Sequence, residues 1–465
     1  MAKRLVLYGT IVHSQNIERI DILENTLVCT DEEGIITALE SDVRSDELDD
    51  KLTELNLNTE VHDVYRLRRG ELLIPGLVDT HNHAPQWAQR GLGRGLQILD
   101  WLNEITFKNE ARFADLNYAR EVYTQAVRGF LKQGITTASY YASLHGPATE
   151  LLAAICLAEG QRALIGKCNM NRNSPPFYIE SSTSESLRAT RGVIAAIKQL
   201  DPNACLIKPV LTPRFAISCT DELLQGLGEL ARENRDLPIQ THFNEAQTEI
   251  DTTLSLFPDY TNEADLYSHF GLLNDRTILA HCCHMTPYET GRLKQVGCGI
   301  AHCPIANTTV GGGFMAAPIR DFLRQGITKI GLGTDSGGGF SSSILDAMRQ
   351  AFIVSNAREK MTGGEDQSLT VDECFYMATL GGARVCGVEH KVGNFAVGKE
   401  FDACLVRTYE SVDDTTDAGL DLKVPLGVMT PIELGDSLRT IFEKFVMSAD
   451  DRNVARVWVR GKRVK

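Results

Sequence analysis

Residues 75–83 read Pro-Gly-Leu-Val-Asp-Thr-His-Asn-His, a short apolar run that ends in two histidines one residue apart. The Pro-Gly pair marks the start of the segment, and the run from Leu77 predicts a buried β-strand. Side chains two residues apart in a strand point to the same side, so His81 and His83 should face one interior together. An H-x-H pair at a strand end therefore indicates a ligand site rather than two unrelated structural histidines.

The chain from about residue 75 to residue 390 alternates short apolar runs with helical patterns. Runs such as ITTASYY, TILAHCC and ITKIGLGTD are each followed by a segment with helical periodicity. This alternation predicts βα units around a parallel sheet. Roughly 315 residues suit eight such units of about 39 residues each. We therefore predict an α/β fold in which residues 75–385 form a (β/α)8 TIM-like barrel that carries the catalytic site.

Both ends of the chain show a different pattern, with short alternating apolar segments between turn residues. The predicted strands of the two ends are 4–12, 26–38, 64–74, 392–407 and 454–464. We predict that 1–74 and 386–465 together form one small β-sandwich domain. The acidic stretch 41–63 is expected to be a solvated insertion.

Charge and composition exclude several classes of protein. The 465 residues include 47 Lys plus Arg and 61 Asp plus Glu, which gives a formal net charge of −14. Because an acidic surface repels phosphate backbones, we expect no nucleic-acid partner. No apolar stretch approaches the ~18 residues of a membrane span, so we expect no membrane association. The twelve cysteines form no C-x-x-C pair and are expected to be reduced thiols of a cytoplasmic protein.

Three further predicted strands end in groups of the same kind, at His242, His281 and Asp335. The catalytic face of a parallel barrel collects such strand-end side chains. Imidazoles with one carboxylate suit a divalent metal, zinc in particular. Glu245, three residues beyond His242, is placed to move a proton from a water without ligating the metal. Its structural alternative is a carboxylate that complements a helix dipole.

The motifs PGLVDTHNH, THFNE, LAHCC, AHCP and GLGTD resemble the successive strand-end motifs of the amidohydrolase superfamily. Other segments are similar to the guanine-deaminating members of that superfamily. These segments include HAPQ at 83–86, LTPRFAISC at 211–219 and LGTDSGGGFSSSILDAMRQ at 332–350. The similarity covers nearly the whole chain and includes segments remote from any predicted ligand.

This resemblance implies a zinc-dependent hydrolysis of guanine to xanthine and ammonia, with water as the second reactant and one Zn2+ per subunit of a homodimer. The implied metal ligands are His81, His83, His242 and Asp335. The implied catalytic residues are Glu245 as the proton shuttle, His281 as a partner of the attacking water, and Asp335 as a second acceptor of the water's proton.

The resemblance also implies a set of substrate-binding residues. They are Gln86, Arg214, Phe215, His83, Ala84, Pro85 and Trp101. Guanine presents adjacent O6 and N7 acceptors that a guanidinium group matches, whereas adenine carries a donor at N6. Arg214 is thus expected to select guanine. Phe215 can stack on the ring, or it can be an ordinary core phenylalanine.

Three alternatives stay open at this point. The same site can serve an aminohydrolase of triazines, pterins or an adenosine derivative. A catalytically inactive barrel kept as an assembly partner would be expected to have lost ligands that this chain retains. A carboxylated Lys208 would bridge a second metal, as in other members of the superfamily, although a lysine whose stem covers apolar surface explains the residue equally well.

Overall fold

A computed structural model describes residues 4–57, 64–310, 315–408, 430–433 and 435–465. The strands are β1 (Val6–Asn16), β2 (Arg19–Thr30), β3 (Ile36–Glu40), β4 (Val64–Arg66), β5 (Glu71–Pro75), β6 (Leu77–His83), β7 (Ile135–Tyr141), β8 (Arg162–Gly166), β9 (Cys168–Asn169), β10 (Ile207–Pro209), β11 (Thr212–Pro213), β12 (Ile239–Phe243), β13 (Thr277–His281), β14 (Gly299–His302), β15 (Ile330–Leu332), β16 (Ala403–Arg407), β17 (Val454–Val459) and β18 (Lys462–Arg463).

The α-helices are α1 (Leu48–Glu54), α2 (Ile98–Trp101), α3 (Phe107–Ala111), α4 (Leu116–Lys132), α5 (Gly146–Glu159), α6 (Thr183–Leu200), α7 (Asp221–Glu233), α8 (Gln247–Leu256), α9 (Glu263–His269), α10 (Pro287–Val296), α11 (Pro304–Thr309), α12 (Ile319–Arg324), α13 (Ile344–Met361), α14 (Val371–Ala378), α15 (Leu380–Val385) and α16 (Leu438–Ser448). A π-helical turn, Leu102–Thr106, joins α2 to α3, and a 3-10 helix, Ala84–Gln89, follows β6.

Two four-stranded parallel sheets occupy the middle of the chain. One has the order β10-β8-β7-β6 and the other the order β12-β13-β14-β15. Leu211 bridges to Ile239 between the two sheets, and Thr80 Oγ1 of β6 donates a hydrogen bond to the Leu332 carbonyl of β15. These sheets and the helices between their strands confirm the predicted α/β class.

The middle strands form because their residues are buried on both faces. Every residue of β6, β7 and β8 is buried, as expected of parallel strands covered by helices. Helix α4 covers them with one apolar face that includes Val122, Ala126 and Phe130. It starts at Asp115, whose side chain accepts a hydrogen bond from the Asn117 N–H.

The first and last strands of this region are joined by a buried carboxylate. Asp79 accepts hydrogen bonds from the Thr334 N–H at 3.0 Å and from its hydroxyl at 2.6 Å. Just beyond, the Asp335 N–H donates to the His81 carbonyl at 2.9 Å. Burial raises the pKa of Asp79 to about 7, although these hydrogen bonds lower it. The pairing places the end of β6 beside the segment that follows β15.

Both ends of the chain contribute to one further sheet of eight strands. Its order is β18-β17-β16-β5-β1-β2-β3, with β4 paired to β1. The C-terminal strand β16 lies antiparallel between β5 and β17. The β-sandwich form and the boundaries 1–74 and 386–465 stay predictions. Helix α16, although within the second of these ranges, packs its Phe442 ring against Phe375 of α14.

Several strand bounds differ from the sequence prediction. β1 continues to Asn16 instead of ending at residue 12, because it pairs with the start of β2 in a long hairpin. Of the predicted strand segment 392–407, only β16 is extended. Gly393 and Gly398 before it have φ of +98° and +89°, values that turns rather than strands require.

The acidic stretch 41–63, predicted to be a solvated insertion, is exposed at most of its described residues but also contains a helix with a buried apolar face. Leu48 and Leu52, four residues apart on α1, are buried and pack in one apolar cluster with Val43. The prediction followed the abundant charges, whereas the i,i+4 leucine pair forms one apolar face of a helix. Residues 58–63 lie outside the part of the chain that the structure describes.

Among the described helices, none is both long and apolar enough to cross a membrane. All twelve cysteines fall within the described ranges and are free thiols. Eleven of them are buried and one, Cys205, is partly exposed.

The stability of the fold should depend on the protonation of His13. This ring is buried in β1, and its Nδ1 accepts a hydrogen bond from the Phe395 N–H at 3.1 Å, which joins the two ends of the chain. Burial lowers the pKa of His13 from 6.5 to about 4, so the folded state holds the neutral ring. Its contribution is therefore complete above pH 6.5 and is lost as the pH falls from 6.5 towards 4.

We expect the free energy of unfolding to decrease by about 2 kcal/mol through this residue between pH 7.5 and pH 5. His13→Gln should remove that part of the pH dependence in urea denaturation curves. The matched control is His390→Gln, since His390 is exposed. Identical pH slopes in wild type and His13→Gln would contradict the assignment.

Candidate functional site

The predicted strand-end residues converge at one place. His81 and His83 come from β6, His242 from β12, His281 from β13, and Asp335 follows β15. Their potential ligand atoms form groups of three that lie within 4.8 Å of one another: His81 with His242 and His281, and His81 with His83 and Asp335. Both H-x-H rings therefore face the same interior, as the two-residue period predicted.

The separations inside this cluster are short. Asp335 Oδ1 lies 3.4 Å from His81 Nε2 and 3.5 Å from His83 Nε2. The Nε2 atoms of His83 and His242 are 3.1 Å apart. Two neutral imidazoles gain little from such an approach unless a proton or a cation lies between them.

Outer hydrogen bonds orient two of the rings. His242 Nδ1 lies 2.6 Å from the Arg214 carbonyl and must donate to it, which leaves Nε2 with a free lone pair. His281 Nδ1 lies 2.8 Å from Asn307 Oδ1, and a donor there likewise leaves its Nε2 free. Metal-binding histidines commonly have such partners on the second nitrogen.

The cluster fits a zinc ion. Both ring nitrogens of His81 and Nε2 of His281 are buried without a well-formed hydrogen bond among the described residues. Buried polar atoms are rarely left so, and a cation bound by one nitrogen of His81 would satisfy that atom. Imidazoles with one carboxylate are the donor set of zinc sites that keep an open position.

The charges also suit a metal. Burial lowers the pKa of His81 and shifts the pKa values of His83 and His242 well below 6.5, so all three rings are neutral and able to ligate. Burial raises the pKa of Asp335, but its interactions with His81 and His83 lower that pKa by more. Asp335 is therefore an ionised carboxylate.

The backbone is strained at the same strand ends. Asn244, His281, Cys282 and Asp335 have φ of 46°, 76°, 51° and 42°, in the left-handed region that non-glycine residues rarely adopt. Such residues cost on the order of 1–3 kcal/mol each and collect at functional sites. Four of the left-handed non-glycine residues therefore lie in the turns that project the side chains of the cluster.

Glu245 lies at the edge of the cluster. Its Oε2 is 3.5 Å from His281 Nε2, and burial raises its pKa to about 7. Two buried carboxylates hold the loop that carries it: Glu249 accepts from the Glu245 N–H at 3.3 Å, and Glu263 accepts from the Asn244 N–H at 2.9 Å. Glu245 is thus placed to receive and release a proton near neutral pH.

A cavity opens over the cluster. The predicted site residues that line it are His83, Gln86, Trp101, Arg214, Phe215, His242, Glu245 and Asp335. Ala84 and Pro85 are buried in the 3-10 helix after β6 but do not line this cavity, so their contact with a substrate stays a prediction. Apolar walls with a few converging polar groups are typical of a small-molecule site.

Arg214 is fully buried and forms an ion pair with Glu110, with its Nη1 2.7 Å from Glu110 Oε2. The other carboxylate oxygen of Glu110, Oε1, accepts a hydrogen bond from Gln86 Nε2 at 2.8 Å. Burial lowers the pKa of Arg214, but the charge of Glu110 raises it by more, so the guanidinium stays protonated.

Lys208 does not support the alternative of a second metal. It lies in β10, where burial lowers its pKa and the nearby charges are Asp236, Lys198 and Lys391. None of these residues belongs to the cluster. A lysine in such surroundings is explained by its apolar stem alone.

Comparison with known proteins extends this picture. The family model described as "Amidohydrolase family" matches residues 72–464. The chain belongs to the amidohydrolase family. The predicted family is therefore confirmed, and the cluster of histidines and Asp335 lies within the matched residues.

Individual relatives are similar over almost their full length. A probable guanine deaminase of Schizosaccharomyces pombe is 39% identical, over 99% of this chain and 83% of that protein. A guanine deaminase of Dictyostelium discoideum is 38% identical, over 98% and 97%. The crystal structure of guanine deaminase from C. acetobutylicum with bound guanine superimposes with a TM-score of 0.85 at 29% identity, over the whole of both chains.

Sequence reasoning gave no role to Glu110, Asn307, Glu249 and Glu263, which orient the predicted residues. No spacing or motif distinguishes them, because each acts through a contact with a residue remote in the chain. Asn307 reaches His281 from within α11, and Glu110 reaches Arg214 across 104 positions. The one signal that could have identified them is that they are buried polar residues with no oppositely charged residue close by in the sequence.

Metal content provides a direct check of the cluster. We expect the purified protein to bind zinc, and His83→Ala to lose it, because His83 Nε2 lies between Asp335 and His242. His302→Ala is the matched control: His302 is buried at the end of the neighbouring strand β14 but belongs to none of the groups able to hold a metal within the described ranges. Elemental analysis should find zinc in His302→Ala and not in His83→Ala; equal content would contradict the site.

Proposed function

We propose that this protein is a zinc-dependent guanine deaminase, which hydrolyses guanine to xanthine and ammonia. The observation that carries the proposal is that Gln86 and Arg214 line the same cavity as His83, Glu245 and Asp335. Residues able to recognise an edge of guanine thus line the same cavity as residues able to hold a metal and to move a proton. The relatives named guanine deaminase, similar over nearly the whole chain, support the same activity.

The ligands of one zinc ion per subunit would be His81, His83, His242 and Asp335. When bound there, zinc would lower the pKa of a coordinated water towards neutrality. The protein holds these ligands in place through the Arg214 carbonyl on His242 Nδ1 and through the Asp79–Thr334 pairing beside Asp335.

Arg214 and Gln86 hold the purine. Arg214 offers only donors, which suit the O6 and N7 acceptors of guanine and oppose the N6 donor of adenine. Phe215 is almost fully buried, lines the cavity, and has its ring centroid 6.1 Å from that of His242, so it is placed to contact a bound ring. Trp101 lines the cavity and is held by a hydrogen bond from its Nε1 to the Leu92 carbonyl.

Glu245 carries the proton. In the hydrolysis a C2–O bond forms and the C2–N bond breaks, while the leaving nitrogen gains a proton and departs as ammonia. Glu245 takes that proton from the attacking water and releases it to the nitrogen. His281 accepts a hydrogen bond from the water on Nε2, since its Nδ1 is committed to Asn307. Asp335 accepts the second proton of the water, which passes to N3 of the purine as the C2 carbonyl of xanthine forms.

The proposal includes the architecture that the resemblance implies. We assign β6, β7, β8, β10, β12, β13, β14 and β15 to one (β/α)8 barrel over 75–385, which the bridge between Leu211 and Ile239 and the contact of β15 with β6 support. The sheet of both chain ends, with buried apolar clusters on its two sides, is assigned to the small β-sandwich domain. A homodimer and a cytoplasmic location, as free thiols favour, complete the proposal.

The decisive test is ammonia release from guanine, adenine and ammeline in parallel, with and without a chelator of zinc. We expect release from guanine only, and its loss when zinc is removed. Release from adenine or ammeline instead would favour the alternative aminohydrolases of adenosine derivatives or triazines. No release from any substrate by zinc-loaded protein would overturn the proposal.

Arg214→Ala provides the discriminating variant of that experiment. It should lower kcat/KM for guanine by at least about a hundredfold, since sites built to hydrogen-bond a substrate lose strongly when the partner is removed. Zinc content should be unchanged. The matched control is Arg172→Ala, because Arg172 donates to the Ala216 carbonyl nearby but does not line the cavity.

Glu245→Gln should separate binding from proton transfer. The amide preserves the shape of the side chain but cannot carry the proton, so kcat should fall by about a hundredfold to ten-thousandfold. Zinc content and KM should change little. Steady-state kinetics with elemental analysis measures all three, and a kcat near that of wild type would show that another group moves the proton.

A further inference from the structure

Glu110 forms hydrogen bonds with both side chains proposed to bind the purine, Gln86 and Arg214. It is fully buried on α3, immediately after the π-helical turn Leu102–Thr106. Three donors converge on its carboxylate: Gln86 Nε2 at 2.8 Å on Oε1, and Arg214 Nη1 and the Tyr178 hydroxyl, each at 2.7 Å, on Oε2. All three donors are themselves buried. This network lies behind the cavity rather than in it, since Glu110 and Tyr178 do not line it.

The direction of these hydrogen bonds is determined by chemistry. The Leu144 N–H donates to the Tyr178 oxygen at 3.1 Å, so the Tyr178 hydroxyl must donate to Glu110. An ionised carboxylate only accepts, which turns the Nε2 end of Gln86 towards Glu110. Gln86 Oε1 then lies on the other side of the amide, where it accepts a hydrogen bond from Gln89 Nε2 at 3.4 Å and keeps its second lone pair for a ligand. If Glu110 carried an amide instead of a carboxylate, the Gln86 amide could turn either of its ends towards it.

Glu110 also determines which part of Arg214 is available to a ligand. Nη1 is committed to Glu110, whereas Nε and Nη2 donate no hydrogen bond to any described residue. The Phe107 ring supports the guanidinium from one side, with Cζ 5.4 Å from the ring centroid. Phe107 is itself packed against Tyr178, with ring centroids 5.8 Å apart. The guanidinium is therefore held in one orientation with spare donors.

We propose that Glu110 is a positioning residue, which orients Arg214 and Gln86 towards the bound purine. The order of groups that the purine meets is then donors from Arg214 next to an acceptor from Gln86. This order matches a purine edge that presents an oxygen acceptor at C6 beside an N1–H donor. It opposes an edge with an amino donor at C6 beside a bare N1. The inference rests on the proposed function in that it takes a 6-oxopurine as the ligand, and it extends that function to the origin of the selectivity.

Equilibrium binding of two purines to the zinc-loaded full chain tests this inference. Hypoxanthine carries both O6 and N1–H, and unsubstituted purine carries neither. Wild type should bind hypoxanthine more tightly, by about tenfold or more. Glu110→Gln should weaken hypoxanthine binding by about tenfold to a hundredfold, because one buried donor loses its acceptor and Gln86 is free to reverse. Its binding of purine should change by less than about threefold.

The matched control is Glu180→Gln. Glu180 is a buried carboxylate paired with Lys167 at 2.5 Å and lies outside the cavity lining, so its loss should leave the ratio of the two dissociation constants unchanged. A merely structural role of Glu110 would weaken both ligands equally in Glu110→Gln. That result, or an unchanged ratio, would overturn the inference.

Tyr178→Phe provides a second test should Glu110→Gln not fold. It removes one donor from the same carboxylate and should raise the dissociation constant of hypoxanthine by about threefold to tenfold, with purine unaffected. If Tyr178→Phe bound hypoxanthine and purine with the same dissociation constants as wild type, that result would contradict the inference. Failure of the proposed function has a different signature, namely no ammonia from guanine in wild type, whatever the binding ratio.

Discussion

The hydrogen bonds that Asp79 accepts from Thr334 are the interaction on which the site depends. The residues of the cluster are spread from position 81 to position 335, so they meet only where the first and last strands of the parallel region lie side by side. Because Asp79 is fully buried, its bonds act at low dielectric, where they are strong and where an unpaired carboxylate would be costly. The adjacent bond from the Asp335 N–H to the His81 carbonyl transmits this pairing directly to the cluster.

Around that junction the structure contains strained backbone and unpaired polar atoms, which are unfavourable and which a purely structural core would avoid. Four residues at the strand ends adopt left-handed backbone angles, and buried imidazole nitrogens lack partners. A surrounding shell of buried contacts holds these features in place, including the Arg214 carbonyl on His242 and Asn307 on His281. Strained turns beside unsatisfied ring nitrogens are what a centre prepared for a cation requires.

Much of this arrangement could be predicted. The alternation of apolar runs with helical segments indicated the α/β class, and the two-residue period of a strand brought His81 and His83 to one side. Strand ends at His242, His281 and Asp335 followed from the same pattern, because all strands of a parallel sheet end at one edge. The acidic stretch was predicted less well: the abundant charges concealed the Leu48 and Leu52 pair that packs on the terminal sheet.

The amino-acid sequence by itself determined that imidazole and carboxylate groups lie at the strand ends, since local periodicity decides where a strand lies and which side chains share a face. Only the tertiary structure decided how those groups are oriented. Glu110 on Arg214 and Gln86, Asn307 on His281, and Glu249 beneath Glu245 act across folds of the chain that no local pattern records. The physical reason is that a hydrogen bond depends on distances of about 3 Å between atoms, and those distances exist only after remote segments have packed together.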